Sequence, residues 1–405
     1  MTREMKNSGI QWIGDIPSTW KTIQLKRHSR VISGKEVKVE LEPDEEKAVP
    51  VYGSGGVFKY TDREQYCGEV VMFGRKGTIG KPLYVNDRFW AVDTMYFLIH
   101  DKLHLFPKFN YYQLCAFNWD LYTTQTALPS IVASEIMDSK FPFPPIEEQK
   151  VISCFLDSKC TEIDGLLGDL DKEVKTLQEY KKSIISETVT KGIHHTPTKQ
   201  TGIPWTGEIP SSWNLERLQY CIKEVNVKNN PIQTDFVLSL TIKDGVLPYD
   251  EKGDIGNKAK ENHADYKLAF PNTIVLNSMN ILIGAVGISK YFGCVSPVYY
   301  VFKNHEDCDL RYINYVLSSI SFQKYLRNYA KGILEIRLRV SAFDILKQKI
   351  PVPSLDEQIE IANYLDSKCA AIDQAITDKT QQIETLKAYK SSLIYEYVTG
   401  KKQVL

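Results

Sequence analysis

Two short stretches hold the residue types best suited to chemistry. "GRKGTIGKP" at 74–82 sets Arg75, Lys76, Thr78 and Lys81 among glycines, and "VYGSGGVFKYTD" at 51–62 sets Ser54, Gly55 and Gly56 between Tyr52, Lys59 and Tyr60. Cations and bare backbone N–H groups of this kind hold phosphates, while Arg on guanine and Asn on adenine read base edges. Contact with a polyanion is the chemistry on offer, and the plain alternative is a pair of β-hairpin turns that need glycine. A nucleotide-binding loop does not fit, because G-x-x-x-x-G-K-[ST] would need glycine at Arg75 and Ser or Thr at Pro82. "GSGG" at 53–56 lacks the G-x-G-x-x-G pattern of a dinucleotide fold. The E-x-K within "DKEVK" at 171–175 reads as a solvated helix face rather than a nuclease centre. No G-x-S-x-G or H-E-x-x-H occurs, "HH" at 194–195 reads as linker surface, and the eight cysteines form no C-x-x-C. We therefore expect no catalytic residue, metal or cofactor in this chain, and reduced thiols that pack as small apolar groups.

Those loops must be carried by larger elements, and the chain is written twice. "SGIQWIGDIPSTW" at 8–20 returns as "TGIPWTGEIPSSW" at 201–213, an offset of 193. "EEQKVISCFLDSKCTEIDGLL" at 147–167 returns as "DEQIEIANYLDSKCAAIDQAI" at 356–376, an offset of 209, and "TLQEYKKSIISETVT" at 176–190 returns as "TLKAYKSSLIYEYVT" at 385–399. Between them "EVVMFGRKGTIGKPLYVN" at 69–86 lies over "NTIVLNSMNILIGAVGIS" at 272–289, an offset of 203. Asn277, Ser278, Met279 and Asn280 then stand opposite the first Gly-rich loop, with Ser289 and Lys290 further on, as a second candidate DNA-binding set. The growing offset places inserted residues of the second copy in surface loops.

Apolar residues recur every seventh position at Leu156, Ile163, Leu170, Leu177 and Ile184, with Cys160, Leu167 and Val174 on the alternate seam. The second copy repeats the stripe with Leu365, Ile372, Ile383, Leu386 and Leu393, flanked by Cys369 and Ile376. About 45 helical residues reach ~65 Å, and so long a strut needs a partner for its seam. The other copy is the obvious one, which makes a coiled coil. The intervening parts, 21–143 and 214–352, show short β-rich runs such as "EVVMF" and "VSPVYYVF" beside helical spacing in "LRYINYVLSSISFQKYLRNY". We expect an α+β protein with an opening string at 1–20, a mixed α/β domain at 21–143, a helix and linker at 144–200, a second string and domain at 201–352, and a closing helix at 353–405. "KFPFPPIEEQ" and "KIPVPSLDEQ" end each domain, fix an extended approach and start each helix with acidic residues.

Composition bounds the partners. Lys plus Arg equals Asp plus Glu at 50 each in 405 residues, so a polyanion site must be a local patch. The start carries no signal peptide and no run would span a bilayer, which implies a cytoplasmic protein without a membrane partner.

The order and duplication of these motifs resembles the specificity subunit of type I restriction-modification systems. The resemblance rests on both Trp strings, "PPIEEQ" and "PSLDEQ" leading into "LDSKC", the "TLQEYKKSII" and "TLKAYKSSLI" helix ends, "PVYGSGG" and "GRKGTIGK", and it covers about residues 8–400. It implies two target recognition domains, each reading one half of a split double-stranded DNA site, joined by two conserved helices packed antiparallel. It also implies two modification subunits that methylate adenine N6 with S-adenosylmethionine, and restriction subunits that use ATP and Mg²⁺ to translocate and cleave. The adenine methyltransferase tetrapeptide Asn/Asp-Pro-Pro-Tyr/Phe is absent, so this chain would choose where chemistry happens without performing it. The rival readings are a self-contained DNA enzyme and a scaffold whose two domains bind proteins. With antiparallel helices the repeat is cyclic: Ser8 to Trp20 should pack near Thr399, as Thr201 to Trp213 packs near Thr190, giving an approximate two-fold axis.

Overall fold

The duplication in the sequence is also a duplication of hydrogen-bond register. The computed structural model describes residues 3–124, 126, 129–242, 244–253, 262–279, 281–332 and 338–404. The first repeat runs through a hairpin of β1 (Met5–Asn7) and β2 (Asp15–Pro17), then β3 (Lys21–Gln24), β4 (Ser29–Ser33), β5 (Val49–Gly53), β6 (Gly56–Thr61), β7 (Tyr66–Gly74), β8 (Leu83–Ala91) and β9 (Met95–His100). Helices α1 (Pro107–Cys115) and α2 (Ala133–Asp138), strand β10 (Lys140–Phe143) and the long helix α3 (Ile146–Lys191) complete it. The second repeat opens with the hairpin β11 (Thr198–Gln200) and β12 (Glu208–Pro210), followed by β13 (Asn214–Arg217), β14 (Ile222–Glu224), β15 (Leu238–Thr241) and β16 (Gly245–Pro248). Next come β17 (Lys267–Ala269), β18 (Thr273–Asn277), β19 (Val286–Ser289), β20 (Gly293–Val295) and β21 (Tyr299–Asn304). It ends with α4 (Leu310–Ser318), α5 (Ile320–Leu326), α6 (Ala342–Leu346), β22 (Lys349–Val352) and the long helix α7 (Leu355–Val398).

Met5 faces Pro17 in the first hairpin, and Thr198 faces Pro210 in the second. Lys21 faces Phe143 where β3 pairs with β10, and Asn214 faces Val352 where β13 pairs with β22. The main sheets share one order. The first is β4-β9-β7-β8-β5-β6 and the second β14-β21-β18-β19. Strand β7 carries the unbroken apolar run Val70–Phe73, fully buried on both faces as a central strand requires. Beyond β8 the first sheet continues through the hairpin β5–β6, with β5 parallel to β8. In the second repeat the hairpin β15–β16 takes this place, close enough to β19 that a Cβ on Gly287 would meet the Gly245 Cα at 3.1 Å.

Packing divides the chain into two units that cut across the boundaries expected from the linear motifs. Unit 1 holds Met1–Asp171 with Gln381–Leu405, and unit 2 holds Lys172–Thr380, so each takes part of both long helices. Within unit 1, Lys390 binds Asp164 at 2.7 Å and the Phe155 and Tyr397 rings lie 4.5 Å apart. Within unit 2, Lys181 binds Asp373 at 2.6 Å, and Lys379 pairs with Glu173. In both units the partner's number falls as that on α3 rises. Of the stripe, Leu156, Ile163, Ile184, Leu365, Ile372, Ile383 and Leu393 are buried, while Leu170, Leu177 and Leu386 are half-buried. The stripe has a second partner besides the opposite helix. Leu156 and Ile163 share a core with Phe109 and Tyr112, and Leu365 shares one with Tyr312 and Ile313.

The strings at the start of each repeat hold the globular part to the helices. Trp20 and Trp213 are fully buried. Their indole N–H groups donate to Glu148 at 3.0 Å and Glu357 at 2.9 Å, in the first turns of α3 and α7. The next residue, Gln149 or Gln358, accepts from the Phe106 or Asp309 backbone N–H through its Oε1. The Tyr395 hydroxyl donates to the Trp12 and Ile13 carbonyls within unit 1. Both long helices are followed by a glycine at positive φ, Gly192 at 74° and Gly400 at 71°, as a left-handed stop requires. A Cβ would strike Trp213 from Gly192 at 3.1 Å and Pro17 from Gly400 at 2.4 Å. Among the described residues no helix is long and apolar enough to cross a membrane. The cysteines are free thiols. Cys160, Cys221, Cys294, Cys308 and Cys369 are buried, whereas Cys67 and Cys154 are exposed and do not act as core packing.

Candidate nucleic-acid interface

In unit 1 the two Gly-rich stretches meet. Residues 75–82 connect β7 to β8, and Ser54 and Gly55 form the turn between β5 and β6, closed by Gly56 at φ 108°. A side chain at Gly74 would have its Cβ 2.4 Å from the Thr78 carbonyl oxygen and 3.1 Å from the Ser54 Cβ, so the loop folds back on itself against the turn. Arg75 is fixed through its backbone: its N–H donates to the Thr94 carbonyl at 2.8 Å and its carbonyl accepts from the Ile131 N–H at 3.1 Å. Its guanidinium lies 5.9 Å from the centre of the Tyr96 ring. Lys76 forms an isolated antiparallel bridge with Ser130. Lys76 and Lys81 are exposed, Arg75 and Thr78 half-buried, and no ion pair to a carboxylate involves Arg75, Lys76 or Lys81 among the described residues. Burial, then the Asp87 carboxylate, raises the Tyr52 phenol above its ordinary value, so it stays a neutral donor. An open depression of about 400 Å³ adjoins the loop, walled by Gly77, Gly80, Phe117, Trp119 and Asp120. Unpaired cations on a rigid loop beside a concave surface can hold phosphates and present one guanidinium to a base edge.

Unit 2 builds the matching corner differently. The Ser278 carbonyl accepts from the Val340 N–H at 3.4 Å, the counterpart of the Arg75–Ile131 bond. Asn277 and Ser278 are buried, and the Asn277 Oδ1 accepts from the Met279 N–H at 3.1 Å. The Asn277 amide shapes the loop, and both side chains are too buried to read a base. Ser289 is a clear correction to the sequence reading. It is fully buried, donates its hydroxyl to the Tyr291 carbonyl at 2.9 Å, and sits opposite Thr273 at the far end of β19. Lys290 is exposed but lies beyond Ser289, about 13 Å along the strand from the loop, so the fold does not bring it to the others. Asn280 lies outside the described residues. Met279 is half-buried, with Arg339 donating to its sulfur at 3.5 Å. Arg339 and its bridge partner Lys331 are exposed and supply the cations that the β18–β19 loop lacks. They were missed because they come from a later segment. The signal was present: the offset of 209 lays Arg339 over Ser130, which bridges Lys76 in unit 1.

The family model described as the type I restriction modification DNA specificity domain matches twice, over residues 17–175 and 219–385. The chain belongs to that family. A specificity subunit from Methanocaldococcus jannaschii, that of the type I restriction enzyme MjaVIII, is 26% identical over 96% of this chain and 94% of its own length. The EcoBI specificity subunit from Escherichia coli is 20% identical over 98% of this chain and 91% of its own. A chain solved in work on complex assembly and conformational transition of the type I R-M system superposes with a TM-score of 0.68, at 12% identity, over 96% of this chain and 99% of that one. The mixed α/β fold with two repeats is therefore the fold of this family. A type I specificity subunit is a non-catalytic component of its complex, and its two domains serve DNA target recognition.

Proposed function

We propose that unit 1 and unit 2 each read one half of a bipartite double-stranded DNA site, and that the two long helices, paired as an antiparallel coiled coil, set the number of unread base pairs between the halves. The observation that carries this reading is the contrast within each repeat. The contacts of Trp20 and Trp213, Glu148 and Glu357, and Gln149 and Gln358 repeat one for one, while the loops after β7 and β18 share no side chain. A constant frame holding variable loops suits two readers that must differ in sequence preference. In unit 1 the contact residues are Arg75, Lys76, Thr78 and Lys81 with the Ser54–Gly56 turn; in unit 2 they are Met279, Lys331 and Arg339. Two modification subunits dock on the repeated frame and bring S-adenosylmethionine and the pocket for an extruded adenine. Restriction subunits bring ATP and Mg²⁺, and the assembly works in the cytoplasm.

Helix length is the handle for a test. Inserting one turn, about four residues, into both α3 and α7 adds ~6 Å and should lengthen the unread spacer by about two base pairs. Methylated adenines mapped by single-molecule sequencing report the spacer directly. An unchanged spacer in an active complex refutes the role given to the helices.

A further inference from the structure

Where β9 ends, the carbonyl of His28 accepts from the Asp101 N–H at 2.8 Å, and the Asp101 carbonyl accepts from the His104 N–H at 3.1 Å. This corner, tying the start of β4 to the segment before α1, gathers three donor side chains in unit 1. The Nδ1 atoms of His104 and His28 stand 2.7 Å and 3.4 Å from the Asp101 Oδ2, the two rings stack at 4.8 Å, and the three ligand atoms all lie within 4.8 Å of one another. Phe143 packs on His28 with ring centres 5.1 Å apart and steadies the less exposed imidazole.

The same corner exists in unit 2 with the same backbone bonds. The Cys221 carbonyl accepts from the His305 N–H at 2.8 Å, and the His305 carbonyl accepts from the Cys308 N–H at 3.1 Å. Cys221, His305 and Cys308 thus stand where His28, Asp101 and His104 stand in unit 1. The chain has only 7 His and 8 Cys in 405 residues, yet these types fill all but one of the six matched positions. In unit 2 the Cys221 and Cys308 thiols are buried.

We propose that His28, Asp101 and His104 form a binding site for one divalent cation of the zinc class. Imidazole and carboxylate are the ligands that such borderline cations select. Ligand atoms ~2.1 Å from a tetrahedral zinc stand roughly 3.4 Å apart, which matches the 3.4 Å His28–Asp101 separation. The 2.7 Å contact opens by ~0.7 Å on metal binding, through rotation of His104, whose side chain is 59% exposed. Both imidazoles ligate through Nδ1 as neutral rings carrying the proton on Nε2, and the open side of the site leaves room for water. The cation ties the β9–α1 connection to the start of β4 and so stiffens the unit 1 sheet at its edge.

Titration of the full-length chain with Co²⁺ and Zn²⁺ tests this. One Co²⁺ per chain should bind at micromolar concentration with a visible spectrum of nitrogen and oxygen ligation, and Zn²⁺ should raise the melting temperature. His104→Ala and Asp101→Asn should each weaken binding by tenfold or more, with melting in chelator left close to that of the parent chain. Cys308→Ser should change neither stoichiometry nor spectrum. No binding up to ~100 µM metal overturns the proposal. So does binding that survives His104→Ala, or a thiolate-to-cobalt band that disappears with Cys308→Ser.

Discussion

The loops after β7 and β18 occupy the same place in two copies of one frame and have little else in common. In unit 1 the loop is glycine-rich and cationic, and it leans on the Ser54–Gly56 turn. In unit 2 the loop presents Met279 and the exposed Ile283, the neighbouring hairpin presents Ile242, and the positive charge arrives from Lys331 and Arg339 on a separate segment. Apolar groups suit the thymine methyl and cations suit phosphate or guanine, so the two surfaces have different chemical tastes. The frame beneath tolerates none of this freedom, because Trp20, Trp213, Gln149 and Gln358 are buried and hydrogen-bonded, the tryptophans to the half-buried Glu148 and Glu357. Sequence divergence is concentrated where side chains face out and costs little stability there.

If the frame is truly duplicated, it should be breakable one unit at a time. Trp213→Ala removes a fully buried indole and its bond to Glu357, and should cost about 3–5 kcal/mol. Urea unfolding followed by limited proteolysis should show unit 2 opening first, and Trp20→Ala should reverse the order. A pH effect distinguishes the units next. His100, buried and bonded to Asn110 at 3.0 Å, is held down by burial to about 4, whereas the matched position in unit 2 is Asn304. Above pH 6.5 the imidazole is neutral whether folded or not; below it the unfolded chain takes up the proton first. Unit 1 should therefore lose up to about 3 kcal/mol as pH falls from 6.5 towards 4, and unit 2 should not lose it through this group. His100→Asn should flatten the acid limb of unit 1 unfolding. The smallest effect is on binding: Arg75→Ala should weaken DNA affinity of the assembled complex and lower its salt slope by about one charge. Tested on variant sites, only one half of the target should lose discrimination.

Much of the frame was legible because it repeats at fixed spacing. The heptad stripe announced α3 and α7, since seven-residue periodicity survives any choice of surface residue. The paired Trp strings marked where each repeat begins. Register was not legible in the same way. Ser289 aligns with a loop-flanking position, yet it closes β19 and satisfies its own hydroxyl, a fact that depends on which strand end faces the loop. Arg339 escaped notice because the cations of unit 2 come from a segment far from the β18–β19 loop in sequence. The His28, Asp101 and His104 corner was invisible for a related reason. Its arms lie more than 70 residues apart, and the second copy spells the corner with different ligand types.

Exchange of a single globular part tests the central claim most directly. Residues 21–143 are replaced by the corresponding segment of a relative that reads a different site, and methylated adenines are mapped in cells carrying the modification subunit. The account predicts a site in which one half changes to the donor's sequence while the other half and the spacer stay as they were. A change in both halves, or methylation at the original site, would contradict it.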